Sequence, residues 1–317
     1  MRLALIFDKT RPDTTGIYFE RACQTLGLTY EHWSLRDGSR IPASYDLYLR
    51  IDHGDDYTIF LPQRLRPSVF YAIDTHLSHS WPKIKRLAGS VDFVFCAQSA
   101  AARELHSEWL PVACDPSTHP NASQATQWDV AFVGTEGGLP RKFILQAIRE
   151  KYPNSFIGQA SHTRLMDIYG CSKIGFNYAI RCELNMRFFE ILGSGALLVT
   201  NALRDPNDSA SLGLQAGEHF IAYENPRQIF PLMDHWLQSE RQEQRVRIAQ
   251  AGMRLVRQRH SYTHRLRQLL DVVSQKLGIH FGTASGAQSA DKQPMVVESL
   301  MKDSFARPQT RHRMRFS

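Results

Sequence analysis

The feature that most constrains this chain is an alternation of short apolar runs with helical segments, which occurs twice. A strand buried on both faces of a parallel sheet reads as a continuous apolar run. The first series of such runs lies at 3–7, 46–51, 69–73, 91–96 and 109–112. The second lies at 130–133, 155–157, 173–178, 196–200 and 219–223. This pattern predicts an α/β protein with two Rossmann-like, doubly wound domains that face a central cleft.

The segment CDPSTHPNASQATQ separates the two series and has no apolar periodicity. Its Pro, Ser, Thr and Asn content is typical of an interdomain linker. We therefore predict an N-terminal domain over 1–116, a linker over 117–127 and a C-terminal domain over 128–279. Residues 280–317 are small, polar and then basic, which predicts a mostly disordered basic tail.

The net charge of +7 and the pI near 9.2 favour anionic partners, such as nucleotide diphosphates, membrane head groups or nucleic acid. The apolar run after Met1 is too short for a signal peptide, and the sequence has no stretch long enough to cross a bilayer. We therefore expect a cytoplasmic protein, with peripheral membrane contact left open. Its five cysteines are scattered, which argues against a disulfide framework or a structural zinc site.

The most informative segment is NMRFFEILGSGALLVTN at 185–201, which reads as a helix, a glycine turn and a buried strand. Arg187 and Glu190 are three residues apart and share one helix face. A carboxylate can accept hydrogen bonds from both hydroxyls of a ribose, and an arginine can bind a phosphate with two donors. The same spacing also suits an ordinary amphipathic helix with a surface ion pair.

Several blocks in this order resemble the spore maturation protein CgeB family, GT4-like glycosyltransferases of the GT-B fold. The blocks are RFFEILGSGALLVT at 187–200, DVAFVGT at 129–135, YGCSKIGFNYA at 169–179, RHSYTHR at 259–265 and, more weakly, YAIDTHLSH at 71–79. The resemblance covers about residues 70–273. It implies a retaining, metal-independent glycosyltransferase that uses a nucleotide-diphosphate sugar, with the donor on the C-terminal domain and the acceptor on the N-terminal domain.

The resemblance places Glu190 at the position of the family's second conserved acid, which is associated with the donor ribose. The family's first acid falls on Cys182, and Glu183 can substitute only if the backbone register differs. Further donor-binding candidates follow from chemistry. They are Gly134, Arg141 and Lys142 at a glycine-rich turn that opens a helix, Lys173 and Asn177 on one face of a strand, Arg187, and Gly195 after the helix.

On the first domain, Asp74 and His76 follow a predicted strand where a loop enters the cleft. They are the candidate catalytic residues, because either could orient an acceptor hydroxyl. A turn-capping aspartate and a surface histidine are the alternative interpretation. Asp8 and Gly16 follow the first strand and are the acceptor-side candidates. The histidines show no metal-binding spacing, so no metal or other cofactor is expected beyond the donor substrate.

The predicted partners are a nucleotide-sugar donor and an unidentified acceptor, which is a glycan, a protein or a small molecule. Nucleic acid is not expected. Two rival functions remain open at this point. A sugar-nucleotide epimerase of the same fold would convert the donor without an acceptor. A non-catalytic module would bind nucleotide sugar, or would bind an anionic partner through the basic tail.

Overall fold

The computed structural model describes residues 1–10, 14–54, 57–115 and 125–279. Residue 116, most of the predicted linker, at 117–124, and the predicted basic tail from 280 onward lie outside these residues. We call residues 1–115 the first half and residues 125–279 the second half. The described residues form a single compact unit, so the predicted domain boundaries stay a prediction.

The first half contains a six-stranded parallel sheet. Its strands are β1 (Arg2–Ile6), β2 (Thr29–Trp33), β3 (Leu47–Ile51), β4 (Ser68–Ala72), β5 (Phe93–Cys96) and β6 (Glu108–Trp109). Their order in the sheet is β2-β1-β3-β4-β5-β6. The helices are α1 (Thr15–Thr25), α2 (Trp81–Ala88) and α3 (Ser99–Glu104). β1, β3 and β4 lie in the middle of the sheet and are almost entirely buried, which explains their apolar sequences.

The edge strand β2 was missing from the sequence prediction. Its sequence TYEHW alternates polar and aromatic residues, and every residue in it is at least partly exposed. A strand at the rim of a sheet whose side chains remain partly exposed needs no continuous apolar run. The full pairing of Arg2 to Ile6 with Thr29 to Trp33 nevertheless places it firmly beside β1.

The second half contains a five-stranded parallel sheet. Its strands are β7 (Trp128–Val133), β8 (Ser155–Gly158), β9 (Ser172–Asn177), β10 (Leu197–Asn201) and β11 (Ile221–Tyr223), in the order β11-β10-β9-β7-β8. The helices are α4 (Arg141–Lys151), α5 (His162–Gly170), α6 (Met186–Ser194), α7 (Pro206–Ala210), α8 (Ile229–Leu237), α9 (Gln242–Arg259) and α10 (Tyr262–Leu277). Two parallel sheets with flanking helices confirm the predicted fold class.

The last helix, α10, returns to the first half. The ring of Tyr262 stacks on Tyr18 of α1 with the centroids 5.1 Å apart, and it meets Phe19 edge-on at 5.3 Å. Arg265 is buried and donates from Nε to the carbonyl oxygen of Pro111 at 2.7 Å. The two halves are therefore joined by α10 as well as by the chain that connects them.

Four of the five cysteines are buried as free thiols, and Cys182 is half-buried. Within the described ranges, no helix combines the length and the apolar character that crossing a membrane requires.

Candidate active site

A cavity of about 620 Å³, which we call the main cavity, lies between the two halves. The second half lines it with residues that include Gly134, Thr135, Arg141, Glu183, Arg187 and Glu190. The first half contributes Thr10, just beyond β1, and His76, just beyond β4. The cavity therefore lies at the carboxyl ends of the parallel strands, where α/β sheets bind ligands.

The glycine-rich turn after β7 makes room for two guanidinium groups. Gly134 has φ +139°, and a Cβ there would collide with the Arg187 guanidinium. Gly137 has φ +68°, and a Cβ there would collide with the Arg141 guanidinium. Both glycines are thus required for positive φ and for close approach of an arginine.

Arg187 is held against the end of β7. Its Nε donates to the carbonyl oxygen of Val133 at 2.9 Å, and its Nη1 donates to Oδ1 of Asn177 at 3.3 Å. The guanidinium lies over the Phe132 ring, 4.2 Å from the centroid. These contacts fix the planar group in one orientation at the cavity wall.

Arg141 opens α4 and donates from Nε to the carbonyl oxygen of Glu136 at 2.8 Å. Burial lowers the pKa of Arg141, and the positive charge of Arg187 lowers it further. Two guanidinium groups that repel each other across a cavity wall form a site for an anion with two negative charges.

Glu190 lies one helical turn beyond Arg187 on α6 and also lines the main cavity. Its side chain is largely buried, and its Oε1 accepts a hydrogen bond from the Tyr18 hydroxyl of the first half at 3.3 Å. Burial, and then the charge of Glu190, raise the pKa of Tyr18, so the phenol stays protonated and donates. The structure therefore brings Arg187 and Glu190 to the same cavity.

A smaller cavity of about 230 Å³ adjoins the main one, and His76 and Glu183 line both. Its first-half wall includes Asp52 and Asp74. Asp52 is buried and organises this wall, because its Oδ2 accepts from the backbone N–H groups of Ile73 and Asp74 at 2.8 and 3.0 Å. Its Oδ1 accepts from the Tyr57 hydroxyl at 2.8 Å. The sequence prediction missed Asp52, although an aspartate directly after a buried strand was the available signal.

Glu183, which the sequence raised as the alternative to Cys182, lies at the junction of the two cavities. Cys182 adopts φ +55°, an uncommon left-handed conformation for a residue other than glycine. Glu183 follows with its Oε2 accepting from the backbone N–H of Arg181 at 2.7 Å, and it lines both cavities. Cys182 lines neither of these two cavities among the described residues.

The predicted pair on β9 is divided between the two ends of that strand. Lys173, near the start of β9, forms an ion pair with Asp129 at 2.7 Å and does not reach the main cavity within the described part of the chain. Asn177, at the end of β9, is fully buried and donates to Thr200 Oγ1 at 3.1 Å. Its Oδ1 accepts a hydrogen bond from Arg187, so Asn177 helps to hold that arginine at the cavity wall.

Four other predicted residues do not line the main cavity among the residues that the structure describes. Lys142 is exposed on α4. Gly195 ends α6 in a left-handed conformation with φ +88° and lies against Met253. Gly16 lies where a Cβ would collide with the Phe7 ring, so it permits α1 to pack against the end of β1. Asp8 accepts hydrogen bonds from the backbone N–H and the hydroxyl of Thr10 at 2.9 and 2.7 Å, and Thr10 lines the main cavity.

The ranges that the structure describes contain no group of three or more His, Cys, Asp or Glu side chains arranged to hold a metal ion.

Residues 120–271 match the model of a family described as glycosyl transferase-like. A comparison with curated protein sequences finds no match to this chain. Among solved structures, Anabaena Alr3699/HepE in complex with UDP-glucose superposes with a TM-score of 0.64 and 9% identity, over 87% of this chain and 100% of that one.

Sucrose-phosphate synthase from Thermosynechococcus elongatus gives a TM-score of 0.62 at 11% identity, over 88% of this chain and 99% of that one. An alpha-glucosyltransferase in complex with UDP-glucose and DNA containing an abasic site gives a TM-score of 0.59 at 10% identity, over 86% of this chain and 99% of that one. The fold is therefore GT-B. Together with the family match, it identifies the enzyme class as glycosyltransferase.

Proposed function

We propose that this enzyme transfers a sugar from a nucleotide-diphosphate sugar to an acceptor hydroxyl that enters between the two halves. The observation that carries the proposal is the arrangement of Arg141, Arg187 and Glu190 on one wall of the main cavity. The two guanidinium groups have the charge and the donors for a diphosphate, and the carboxylate can accept from ribose hydroxyls.

The same arrangement supports catalysis without a metal ion. In glycosyl transfer, negative charge develops on the departing diphosphate, and donors already fixed in place stabilise that charge without reorganising. Arg187 is fixed by Val133, Asn177 and Phe132, and the N-terminus of α4 adds its partial positive charge. Activity that is unchanged by EDTA would agree with this role for the arginines.

We further propose that Glu183 contacts the donor sugar and that His76 orients the acceptor hydroxyl, because both residues line the junction of the two cavities. Retention of anomeric configuration, like membership of the CgeB-like family, is supported by the sequence resemblance. NMR of the product's anomeric proton tests it.

UDP is the nucleotide to test first, since two of the structures reported above contain UDP-glucose. Calorimetric titration should show that UDP binds wild-type protein, and that Glu190→Ala weakens binding about 10- to 100-fold through loss of hydrogen bonds to a charged group. Lys173→Ala is the matched control, because its ion pair with Asp129 lies away from the main cavity. An equal loss of UDP affinity in both variants would show that Glu190 does not bind the donor.

A product assay with UDP-glucose separates the rival functions. Conversion of the donor to another sugar nucleotide without acceptor would indicate an epimerase. Tight nucleotide binding with neither hydrolysis nor transfer would indicate a non-catalytic module.

A further inference from the structure

A third cavity, which we call the side cavity, opens beside the main cavity and has a volume of about 510 Å³. His76 and Glu183 line both cavities and form the connection between them. The side cavity is built from both halves, with Trp81 and Gln98 on one wall and Arg181 and Asp205 on the other. A molecule bound there would lie next to whatever occupies the main cavity. The volume is within the range of small-ligand sites.

The side cavity has no excess of positive charge among its described lining residues. Its described lining contains three arginines, which are Arg103, Arg181 and Arg204. It also contains four carboxylates, which are Glu104, Glu183, Asp205 and Asp208. Arg103 and Asp205 pair across the two halves at 3.3 Å. Nucleic acid and anionic membranes require an excess of positive charge, so this lining favours an uncharged ligand.

The wall of the side cavity offers an aromatic ring and several polar groups. Trp81 is half-buried, and its orientation is fixed by a hydrogen bond from Nε1 to Glu104 Oε1 at 3.1 Å. Thr75 Oγ1 and His76 Nδ1 are buried and have no hydrogen-bond partner in the part of the chain that the structure describes. A ligand hydroxyl suits both atoms because it can donate and accept. The apolar face of a sugar ring suits an indole.

We propose that the side cavity binds a neutral carbohydrate as the acceptor. The inference rests on the proposed function, and it selects a glycan from the acceptor classes left open above. In the reaction, an acceptor hydroxyl near His76 forms a bond to the anomeric carbon of the donor sugar. The bond from that carbon to the diphosphate breaks, the nucleoside diphosphate departs, and the hydroxyl proton passes to it.

The test is binding of the full-length protein, without donor, to an array of immobilised neutral and sulfated glycans. A 12-base-pair DNA duplex and vesicles of phosphatidylserine and phosphatidylcholine are assayed in parallel. We expect binding to one or more neutral glycans and no measurable binding to the duplex or the vesicles. Binding to the DNA or the vesicles alone, or to no neutral glycan, would overturn the proposal.

Two variants assign the binding to the side cavity. Trp81→Ala should weaken affinity for the bound glycan about tenfold or more while leaving UDP affinity unchanged. Thr75→Ala removes a hydroxyl that has no partner among the described residues, so it should keep the thermal stability of the protein and still weaken glycan binding severalfold. Phe60→Ala is the control, because Phe60 is an exposed aromatic residue of the same half that does not line the side cavity.

Glycan affinity that is unchanged in both Trp81→Ala and Thr75→Ala would contradict the proposal. UDP binding by the wild-type protein reports on the donor site alone. A failure of the glycan proposal is therefore distinguishable from a failure of the proposed function.

Discussion

The two walls of the cleft are built differently. The second-half wall carries two guanidinium groups supported by glycines, a backbone carbonyl and an aromatic ring, with Glu190 one helical turn away. The first-half wall has carboxylates and histidines on loops after β3 and β4, held by the buried Asp52. The second wall suits an anion, whereas the first suits a neutral molecule with hydroxyl groups. The difference points to donor binding on one side and acceptor binding on the other.

The largest expected effect is on the second wall. Arg187→Ala removes a fixed cation from the site of the developing diphosphate charge, so kcat/KM for the donor should fall about 10²–10³-fold. Lys142→Ala removes one cation from the exposed side of the neighbouring helix α4 and should change kcat/KM by less than about threefold. Steady-state kinetics with UDP-glucose measure both. A similar fall in both variants would mean that net charge alone matters.

A second change on the same wall tests its geometry without removing a charge. Gly134→Ala introduces a Cβ into the space of the Arg187 guanidinium and strains a residue at φ +139°. Displacing the guanidinium removes charge-assisted hydrogen bonds to the diphosphate, which should weaken UDP binding about 10- to 100-fold. Gly138→Ala is the matched control, since a Cβ at that residue would have no neighbouring atom within 4 Å. Calorimetry that shows equal UDP affinity for both variants would contradict the role of Gly134.

On the first wall, Asp52→Asn should separate acceptor from donor. An amide can offer only one of its two polar atoms as an acceptor, so either the loop of Ile73 and Asp74 or the loop of Gly54 loses its acceptor. Disordering either loop should lower kcat for transfer about tenfold and leave UDP affinity unchanged. A fall in UDP affinity together with kcat would contradict the assignment of donor and acceptor to separate walls.

The smallest expected effect is on the stability of the junction between the two halves. His260 contacts the carbonyl oxygen of Leu212 and the guanidinium of Arg265, and burial lowers its pKa to about 4. Its unfolded pKa is near 6.5, so between about pH 6.5 and 4 the unfolded chain binds a proton that the folded protein excludes. The free energy of unfolding should therefore fall as the pH is lowered through this window, by about 1–2 kcal/mol at pH 5.

Urea unfolding at pH 7.5 and pH 5 measures this loss. His260→Gln should show a smaller difference between the two pH values than the wild type. An equal difference would assign the pH dependence to other groups.

The sequence predicts most of this fold because buried parallel strands require continuous apolar runs. β1, β3 and β4 were visible for that reason, whereas the half-exposed β2 carries no such signal. The return of α10 to α1 was also invisible, because a buried helix face does not reveal which surface it covers.

The candidate site was predictable where local spacing determines geometry. Arg187 and Glu190 share one face of a single helix, so their meeting at one cavity follows from their spacing. The place of Glu183 at the cavity depends on the left-handed conformation of Cys182, and the contact of Tyr18 with Glu190 depends on how α1 lies relative to α6. Local sequence shows neither. Lys173 had the right chemistry and the right face, but it lies at the wrong end of its strand.

The most direct test of the account is a crystal structure of the protein with UDP. We predict the ribose hydroxyls within about 3 Å of the Glu190 carboxylate, and the diphosphate on the guanidinium groups of Arg141 and Arg187. UDP bound elsewhere, or with its ribose turned away from Glu190, would contradict the account.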